Sequence, residues 1–101
     1  MIPALVLGAA ALSFAFAPLT GVASWYSYHE GQAAAGPALR RMLGKDWRGQ
    51  TVTVCRLSTC IRVRLTDWCG CYGSRVIDLD DADFSRLAPL SRGLVRVRAQ
   101  R

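Results

Sequence analysis

The sequence predicts a small, mainly β domain, a barrel of short strands with helical connections. Two consecutive segments, residues 51–55 and 60–65, alternate apolar and polar side chains as half-buried strands do. Three further short segments, residues 21–28, 76–79 and 94–98, are rich in β-branched or aromatic side chains, which favour strands. The helix patterns between them are only two turns long. These observations together favour a β-barrel over a helical bundle.

Length and composition limit the chain to one small globular domain. It has 101 residues, of which 51% are hydrophobic and 20% charged. This balance excludes collagen-like, low-complexity and strongly disordered proteins. The net charge is +6, and every charged side chain lies at or after Glu30. The neutral opening therefore differs in kind from the basic remainder.

The opening segment has the composition of an export signal. Residues 2–17 are almost entirely apolar, a length that suits a secretory signal better than the about 20 residues of a membrane span. Residues 15–17, Ala-Phe-Ala, have the small-x-small form of a cleavage site. We assign residues 1–20 to a signal peptide or hydrophobic leader and residues 21–101 to the domain. A buried helix and a membrane anchor are the alternatives. The expected location is secreted or cell-envelope associated.

Four cysteines in so short an exported domain predict two disulfides. The spacings are C-x4-C for Cys55 and Cys60 and C-x-C for Cys69 and Cys71. Neither is the C-x2-C spacing of zinc knuckles, so zinc ranks below disulfides, and we expect no metal or cofactor. If residues 56–59 form a turn, Cys55 faces Cys60 and the apolar side chains of both strands share one face. Cys69 is then left with Cys71; a cross-pairing is the alternative.

Two short helices are predicted between the strands. The first covers residues 37–43, with proline at its first position and Gly44 as its end. The second covers residues 81–88, with Asp80 as the N-cap and Asp83 at the capping-box position.

Several motifs resemble those of one group of cell-wall proteins. Residues 21–26, G-V-A-S-W-Y, resemble the opening of the double-psi β-barrel of rare lipoprotein A. Residues 65–71 and 76–79 resemble the T-D…C…D-L segment of expansins, and residues 82–88 and 93–97 are similar to the helix and closing strand that follow it. The resemblance implies a six-stranded double-psi β-barrel with one or two short helices.

The resemblance also implies a function on cell-wall polysaccharide, peptidoglycan in the first place. Expansins loosen walls without measurable hydrolysis, whereas rare lipoprotein A relatives cleave peptidoglycan glycan strands. The catalytic acid of the related family 45 glycoside hydrolases corresponds to Asp78, with Ser24 near it and Asp67 as the second acid. Residues 32–36 lack the histidine of the rare lipoprotein A segment. We therefore rank an expansin-like binding or remodelling module first and a lytic transglycosylase second.

The residues themselves support the two acids independently. Asp78 has the side-chain parity opposite to Ile77 and Leu79, so it points to a surface or groove when those enter the core. A carboxyl group there can protonate a glycosidic oxygen or accept hydrogen bonds from sugar hydroxyls. Hydrolysis needs a second carboxylate, for which Asp67 is the candidate. Asp67 is equally well placed to cap backbone N–H groups before Gly70.

Aromatic side chains are candidates for stacking on sugar rings. Tyr26 and Tyr28 have the parity opposite to Trp25, so the two tyrosines are ligand candidates and Trp25 is a core residue. Trp68 and Tyr72 flank the second cysteine pair beside the second acid. Trp68 suits a groove wall and packing on a disulfide equally.

Four arginines give the third functional class. Arg62, Arg64, Arg96 and Arg98 recur at period two and are expected to project from the outer faces of two strands. They can attract anionic wall polymers, or nucleic acid in a cationic nucleic-acid or protein-binding domain. Export and disulfides argue against nucleic acid, and a solvated exterior is the simplest interpretation. We expect a monomer.

Overall fold

The computed structural model describes residues 17–101, in which six strands form a closed barrel. The strands are β1 (Leu19–Tyr26), β2 (Gln32–Ala35), β3 (Thr51–Arg56), β4 (Thr59–Trp68), β5 (Arg75–Asp80) and β6 (Val95–Gln100). Their order around the barrel is β1-β5-β2-β4-β3-β6. The pairs β1–β5 and β2–β4 are parallel and the others antiparallel. The mainly β barrel prediction is confirmed.

The N-terminal prediction lies mostly outside the described residues, because residues 1–16 are not among them. β1 begins at Leu19, two residues before the predicted start, and Leu19 and Thr20 pair with Ala99 and Arg98 of β6. The strand therefore includes two residues that we had assigned to the leader. Within residues 17–101, no helix has both the length and the hydropathy needed to cross a bilayer.

The β3–β4 hairpin has the predicted register. Cys55 pairs with Cys60, Val54 with Ile61 and Val52 with Val63. The turn is shorter than expected, since both strands extend by one residue to the Arg56–Thr59 pair. The hairpin thus places its valine and isoleucine side chains in the core, as its alternation predicts.

The strand β2 was not predicted. Its sequence is Gln-Ala-Ala-Ala, and alanine has little intrinsic preference for strands. β2 nevertheless lies between β4 and β5 and pairs with both. Gly36 ends it where a Cβ atom would lie 2.8 Å from the carbonyl oxygen of Val76, so only glycine fits this approach.

Two helices pack against the strands of the barrel. Helix α1 (Pro37–Leu43) begins at its proline and ends at Gly44, which has φ of 89°. Helix α2 (Asp81–Leu87) is capped by Asp80, whose carboxylate accepts the N–H of Ala82 at 3.0 Å. A short 3₁₀ helix, Leu90–Arg92, precedes β6. Both predicted helices are present.

The capping-box role of Asp83 is wrong. Its buried carboxylate accepts the N–H of Gly31 at 2.7 Å, in the turn before β2. Asp83 therefore ties α2 to the β1–β2 connection instead of closing the first turn of its own helix.

The core is filled by side chains from every strand and from both helices. The largest completely buried ones come from α1, α2, β4 and β5, and are Leu39, Phe84, Leu65, Ile77 and Leu79. Trp25 is partly buried against this core, and its Nε1 donates to the carbonyl oxygen of Leu90 at 3.0 Å. It takes the packing role predicted for it.

Candidate functional site

A register shift in β4 turns Asp67 away from the core. Ala33 of β2 pairs with Leu65, but the next residue, Ala34, pairs with Asp67, so Thr66 is an extra residue on β4. Side chains alternate along a strand, and without the shift Asp67 would share the inward face of Leu65. The extra residue brings Asp67 to the opposite face.

Four residues then form a row across four neighbouring strands. Asp67 on β4 pairs with Ala34 on β2, Ala34 with Asp78 on β5, and Asp78 with Ser24 on β1. We call this set the acidic row. One strand separates the two acids, which places their backbones about 10 Å apart. Between them Ala34 contributes only a methyl group and is 1% exposed. The two predicted acids and the predicted serine are thus brought together.

Asp78 is a half-buried carboxyl group with one side-chain hydrogen bond. The hydroxyl of Ser24 donates to its Oδ1 at 2.9 Å. Burial raises the pKa of Asp78 above its ordinary value, and the negative charge of Asp67 adds to this effect. The Ser24 hydrogen bond and the charge of Arg75 oppose the rise in pKa without cancelling it. Asp78 therefore retains its proton to higher pH than a free aspartate, as a general acid must.

Asp67 is held by two donors. The hydroxyl of Tyr26 donates to Oδ2 at 3.1 Å, and the backbone N–H of Trp68 donates to Oδ1 at 2.9 Å. Burial and the adjacent Asp67 raise the pKa of Tyr26, so its phenol stays protonated and remains a donor. Asp67 thus caps a backbone N–H, one of the two roles considered for it, and it does so from within the acidic row.

The two tyrosines form one wall beside the acidic row. The rings of Tyr26 and Tyr28 are stacked, with their centroids 5.0 Å apart. The hydroxyl of Tyr28 lies 2.9 Å from Oγ1 of Thr66, the extra residue of β4. The backbone N–H of Tyr28 donates to Asp80 at 2.9 Å, which fixes the loop after β1. Both rings are part-buried and held in place before any ligand arrives.

Trp68 lies at the other end, where β4 ends, and is 58% exposed. The guanidinium carbon of Arg40, on α1, lies 5.7 Å from the Trp68 ring centroid and 6.0 Å from that of Trp47. Arg40 also donates to the carbonyl oxygens of Ala35 and Cys69, at 2.6 and 3.1 Å. Sequence analysis missed Arg40 and Trp47. Arg40 reaches the distant Trp68 and Cys69 only in the folded barrel, and no local pattern marks either residue.

Tyr72 lies apart from Trp68. It is 89% exposed and lines a separate cavity with Ser74 and Arg75, at the start of β5. The structure therefore divides the five predicted substrate-binding residues. Ser24 belongs to the acidic row, Tyr26 and Tyr28 border it, Trp68 follows Asp67 on β4, and Tyr72 lines the separate cavity.

Both predicted disulfides are present, Cys55–Cys60 and Cys69–Cys71. Cys69 follows β4 directly, so the second disulfide lies two residues from Asp67. The hairpin disulfide is remote, since Asp67 lies seven positions after Cys60 along β4, about 23 Å of strand. All four thiols are bridged and none is left to bind zinc. In the part of the chain that the structure describes, no three His, Cys, Asp or Glu side chains form a metal cluster.

The four period-two arginines lie on the outside of the barrel, as predicted. Three of them donate to nearby surface groups: Arg62 to Thr53, Arg64 to Gly49 and Arg98 to Leu57, at 3.0, 3.3 and 3.0 Å. A nucleic-acid surface would need these arginine side chains to reach phosphates, and three of the four are already engaged by neighbouring surface groups.

The barrel is similar to solved double-psi β-barrels. A Streptomyces papain inhibitor matches at 25% sequence identity, over 82% of this chain and 92% of the inhibitor, with a TM-score of 0.64. An expansin of Clavibacter michiganensis matches without ligand at 20% identity and a TM-score of 0.67. A variant of it in complex with cellohexaose matches at 19% and 0.66.

In both expansin comparisons the match covers 81% of this chain and 48% of the expansin, so the chain spans about half the expansin's length. No protein-family model and no curated protein matches the sequence. The fold is the double-psi β-barrel that the sequence motifs imply.

Proposed function

We propose that this protein is a secreted module that binds or remodels cell-wall polysaccharide, with peptidoglycan as the first candidate. The observation that carries the proposal is the acidic row with its aromatic borders. Sugar rings present hydroxyl groups at their edges and apolar C–H groups on their faces. Asp67 and Asp78 supply hydrogen-bonding groups for the edges, and Tyr26 and Trp68 supply aromatic surface for the faces. Ser24 is only 6% exposed and acts by holding Asp78.

Two further findings support the proposal. Both disulfides suit an oxidising compartment, such as the outside of the cell. The expansin with the same fold was solved in complex with cellohexaose, so this barrel type occurs in a protein that binds a glycan chain. Since fold alone does not decide function, the groups of the row carry more weight than the likeness.

The chemistry of the row favours one acid over two. Asp78 has a raised pKa and a single side-chain hydrogen bond, whereas Asp67 is engaged by Tyr26 and by a backbone N–H. A glycoside hydrolase needs both carboxyl groups to act. A lytic transglycosylase manages with one acid/base because a hydroxyl of the sugar itself attacks the anomeric carbon. Binding without hydrolysis is the primary proposal, and lytic cleavage through Asp78 is the alternative.

A pull-down with purified sacculi, followed by an assay for released muropeptides, tests the proposal. The wild type is compared with Asp78→Asn and with Asp46→Asn, which removes an equal charge at an exposed site outside the row. We expect the wild type and Asp46→Asn to sediment with sacculi. Any release of muropeptides by the wild type should be lost in Asp78→Asn and kept in Asp46→Asn. Released muropeptides identify the lytic alternative. Absence of sedimentation by the wild type rejects a wall-binding function.

Inhibition of a papain-like protease is a second candidate function. Leu57 is 76% exposed at the tip of the β3–β4 hairpin, with φ of 54°, and the Cys55–Cys60 disulfide closes the hairpin behind it. A rigid, protruding apolar residue binds a protease cleft at little entropic cost. The likeness to the papain inhibitor covers nearly all of that protein. Papain assays with the wild type and Leu57→Ser test it: inhibition by the wild type that Leu57→Ser loses supports this candidate.

A further inference from the structure

A second register shift places Arg75 on the same face of the barrel as Asp78. Val22 of β1 pairs with Arg75 of β5, and Ser24 pairs with Asp78. The two residues differ by two positions on β1, whereas their partners differ by three positions on β5. The extra residue on β5 is Val76. Because Val22 and Ser24 share a face, Arg75 and Asp78 share it too. The Val22–Arg75 and Ser24–Asp78 pairs lie two residues apart along β1, a distance of about 7 Å.

The guanidinium of Arg75 is held near Asp78 without being engaged by it. The Nε of Arg75 is buried and has no hydrogen-bond partner among residues 17–101. Buried donors in native structures nearly always have partners, so the described residues leave this guanidinium incompletely engaged. The charge of Arg75 influences Asp78, yet the ion pair found within the described residues joins Arg86 and Asp83 instead.

An open cavity of about 220 Å³ lies beside this guanidinium. It is lined by Val22, Tyr72, Ser74, Arg75 and Leu94. Val22 and Leu94 make part of the lining apolar, and Tyr72 and Ser74 contribute hydroxyl groups to the same lining as Arg75. Val22 also pairs with Arg96 on its other side, so two arginines flank it across β5, β1 and β6.

We propose that this cavity is a subsite for a carboxylate carried by the glycan, so that the groove selects acidic over neutral polysaccharide. The guanidinium of Arg75 lines the cavity, and a planar guanidinium binds a carboxylate through parallel hydrogen bonds from its N–H groups. The carboxylate belongs to a uronic acid or to the lactyl group of muramic acid, and both present the same charge beside a pyranose ring. The inference rests on the proposed glycan-binding function.

A matched pair of ligands tests the subsite on the wild-type protein. Hexagalacturonate and its fully methyl-esterified form have the same sugar chain and differ in charge at the carboxyl groups. Calorimetric titration of both is expected to show at least tenfold tighter binding of the acid form. A second pair, peptide-free peptidoglycan strands with free or amidated lactyl groups, separates the two carboxylate sources.

Variants localise the preference to Arg75. Arg75→Gln is expected to reduce binding of the acid form to the level of the ester, and Arg75→Lys to restore only part of it, since lysine lacks the planar fork. The control, Arg62→Gln, removes the same charge from the far exterior. Equal binding of acid and ester by a correctly folded wild type overturns the subsite and leaves the proposed function standing. Binding of neither ligand pair overturns both. Equal losses in Arg75→Gln and Arg62→Gln show that net charge, and not the cavity, sets the preference.

Discussion

The hydroxyl of Tyr26 reaches Asp67 across the two strands that separate β1 from β4 around the barrel. This hydrogen bond connects the two sides of the acidic row and fixes the Asp67 carboxylate in a set direction. The backbone N–H of Trp68 donates to the other oxygen, so both oxygens of Asp67 accept hydrogen bonds from the protein itself. Asp78 accepts a side-chain hydrogen bond on Oδ1 alone, and it is the acid that remains more open to a ligand.

Tyr26→Phe removes the connection with little change in shape. The loss of one side-chain hydrogen bond is expected to lower the free energy of unfolding by about 1 kcal/mol. Tyr28→Phe is the matched control, since its hydroxyl contacts Thr66 and not an acid. We expect similar unfolding energies for the two variants in urea, but weaker sacculus binding only for Tyr26→Phe. Equal binding by both would remove the Tyr26–Asp67 contact from the site.

Asp78→Asn is expected to fold normally and to melt at the same or a higher temperature than the wild type at pH 7. The amide oxygen still accepts the Ser24 hydroxyl, and the buried charge is gone. Burial raises the pKa of Asp78 in the folded state, so the protonated carboxyl group stabilises the fold. This contribution to stability is fully present below pH 3.8 and is lost as the pH rises through the raised pKa. The melting advantage of the variant should therefore grow across this window and level off above it. Melting curves from pH 3 to pH 8 check the sign. A variant that melts well below the wild type at pH 7 would mean that the carboxylate stabilises the fold.

The same raised pKa sets the pH dependence of any cleavage. A general acid must be protonated, so muropeptide release should fall as the pH rises through the pKa of Asp78. Rates of muropeptide release by the wild type, measured across mildly acidic and neutral pH, show whether this fall occurs. Release that increases with pH would exclude Asp78 as the general acid.

Trp68→Ala should weaken glycan binding by about 2- to 12-fold, the range that corresponds to 0.5–1.5 kcal/mol for one aromatic contact. The change should cost little stability, because the ring is mostly exposed. Leu57→Ala is the control, an exposed apolar residue at the remote hairpin tip. Affinity measurements on oligosaccharides compare the two. If both variants bind as the wild type does, Trp68 is not a wall of the groove.

Tryptic mapping without reduction checks both disulfides in solution. Cleavage after arginine separates residues 49–56 from residues 57–62, and the Cys55–Cys60 bridge should keep them linked. Residues 65–75 should appear as one peptide, two mass units lighter than its reduced form. A link from either hairpin peptide to residues 65–75 would indicate the cross-pairing.

Local patterns predicted the parts of the fold that local rules govern. The hairpin register follows from alternation and the length of the turn, and the face of Asp78 follows from its neighbours Ile77 and Leu79. β2 was missed because its alanines become a strand only through pairing with two distant segments. The shift at Thr66 is equally a property of the β2–β4 pairing. Parity counted from Leu65 alone would place Asp67 in the core.

The order of the strands around the barrel also constrains how the chain folds. β1 is the first strand, yet its partners are β5 and β6, and Leu19 pairs with Ala99. Closing such distant pairs costs loop entropy before any contact compensates for it, which makes folding slow relative to proteins with local contacts. Among the strand pairs within residues 17–101, only β3–β4 joins consecutive strands, and its own disulfide can close while the rest is still unfolded. During synthesis, β1 therefore cannot complete its pairing until β5 and β6 have been made.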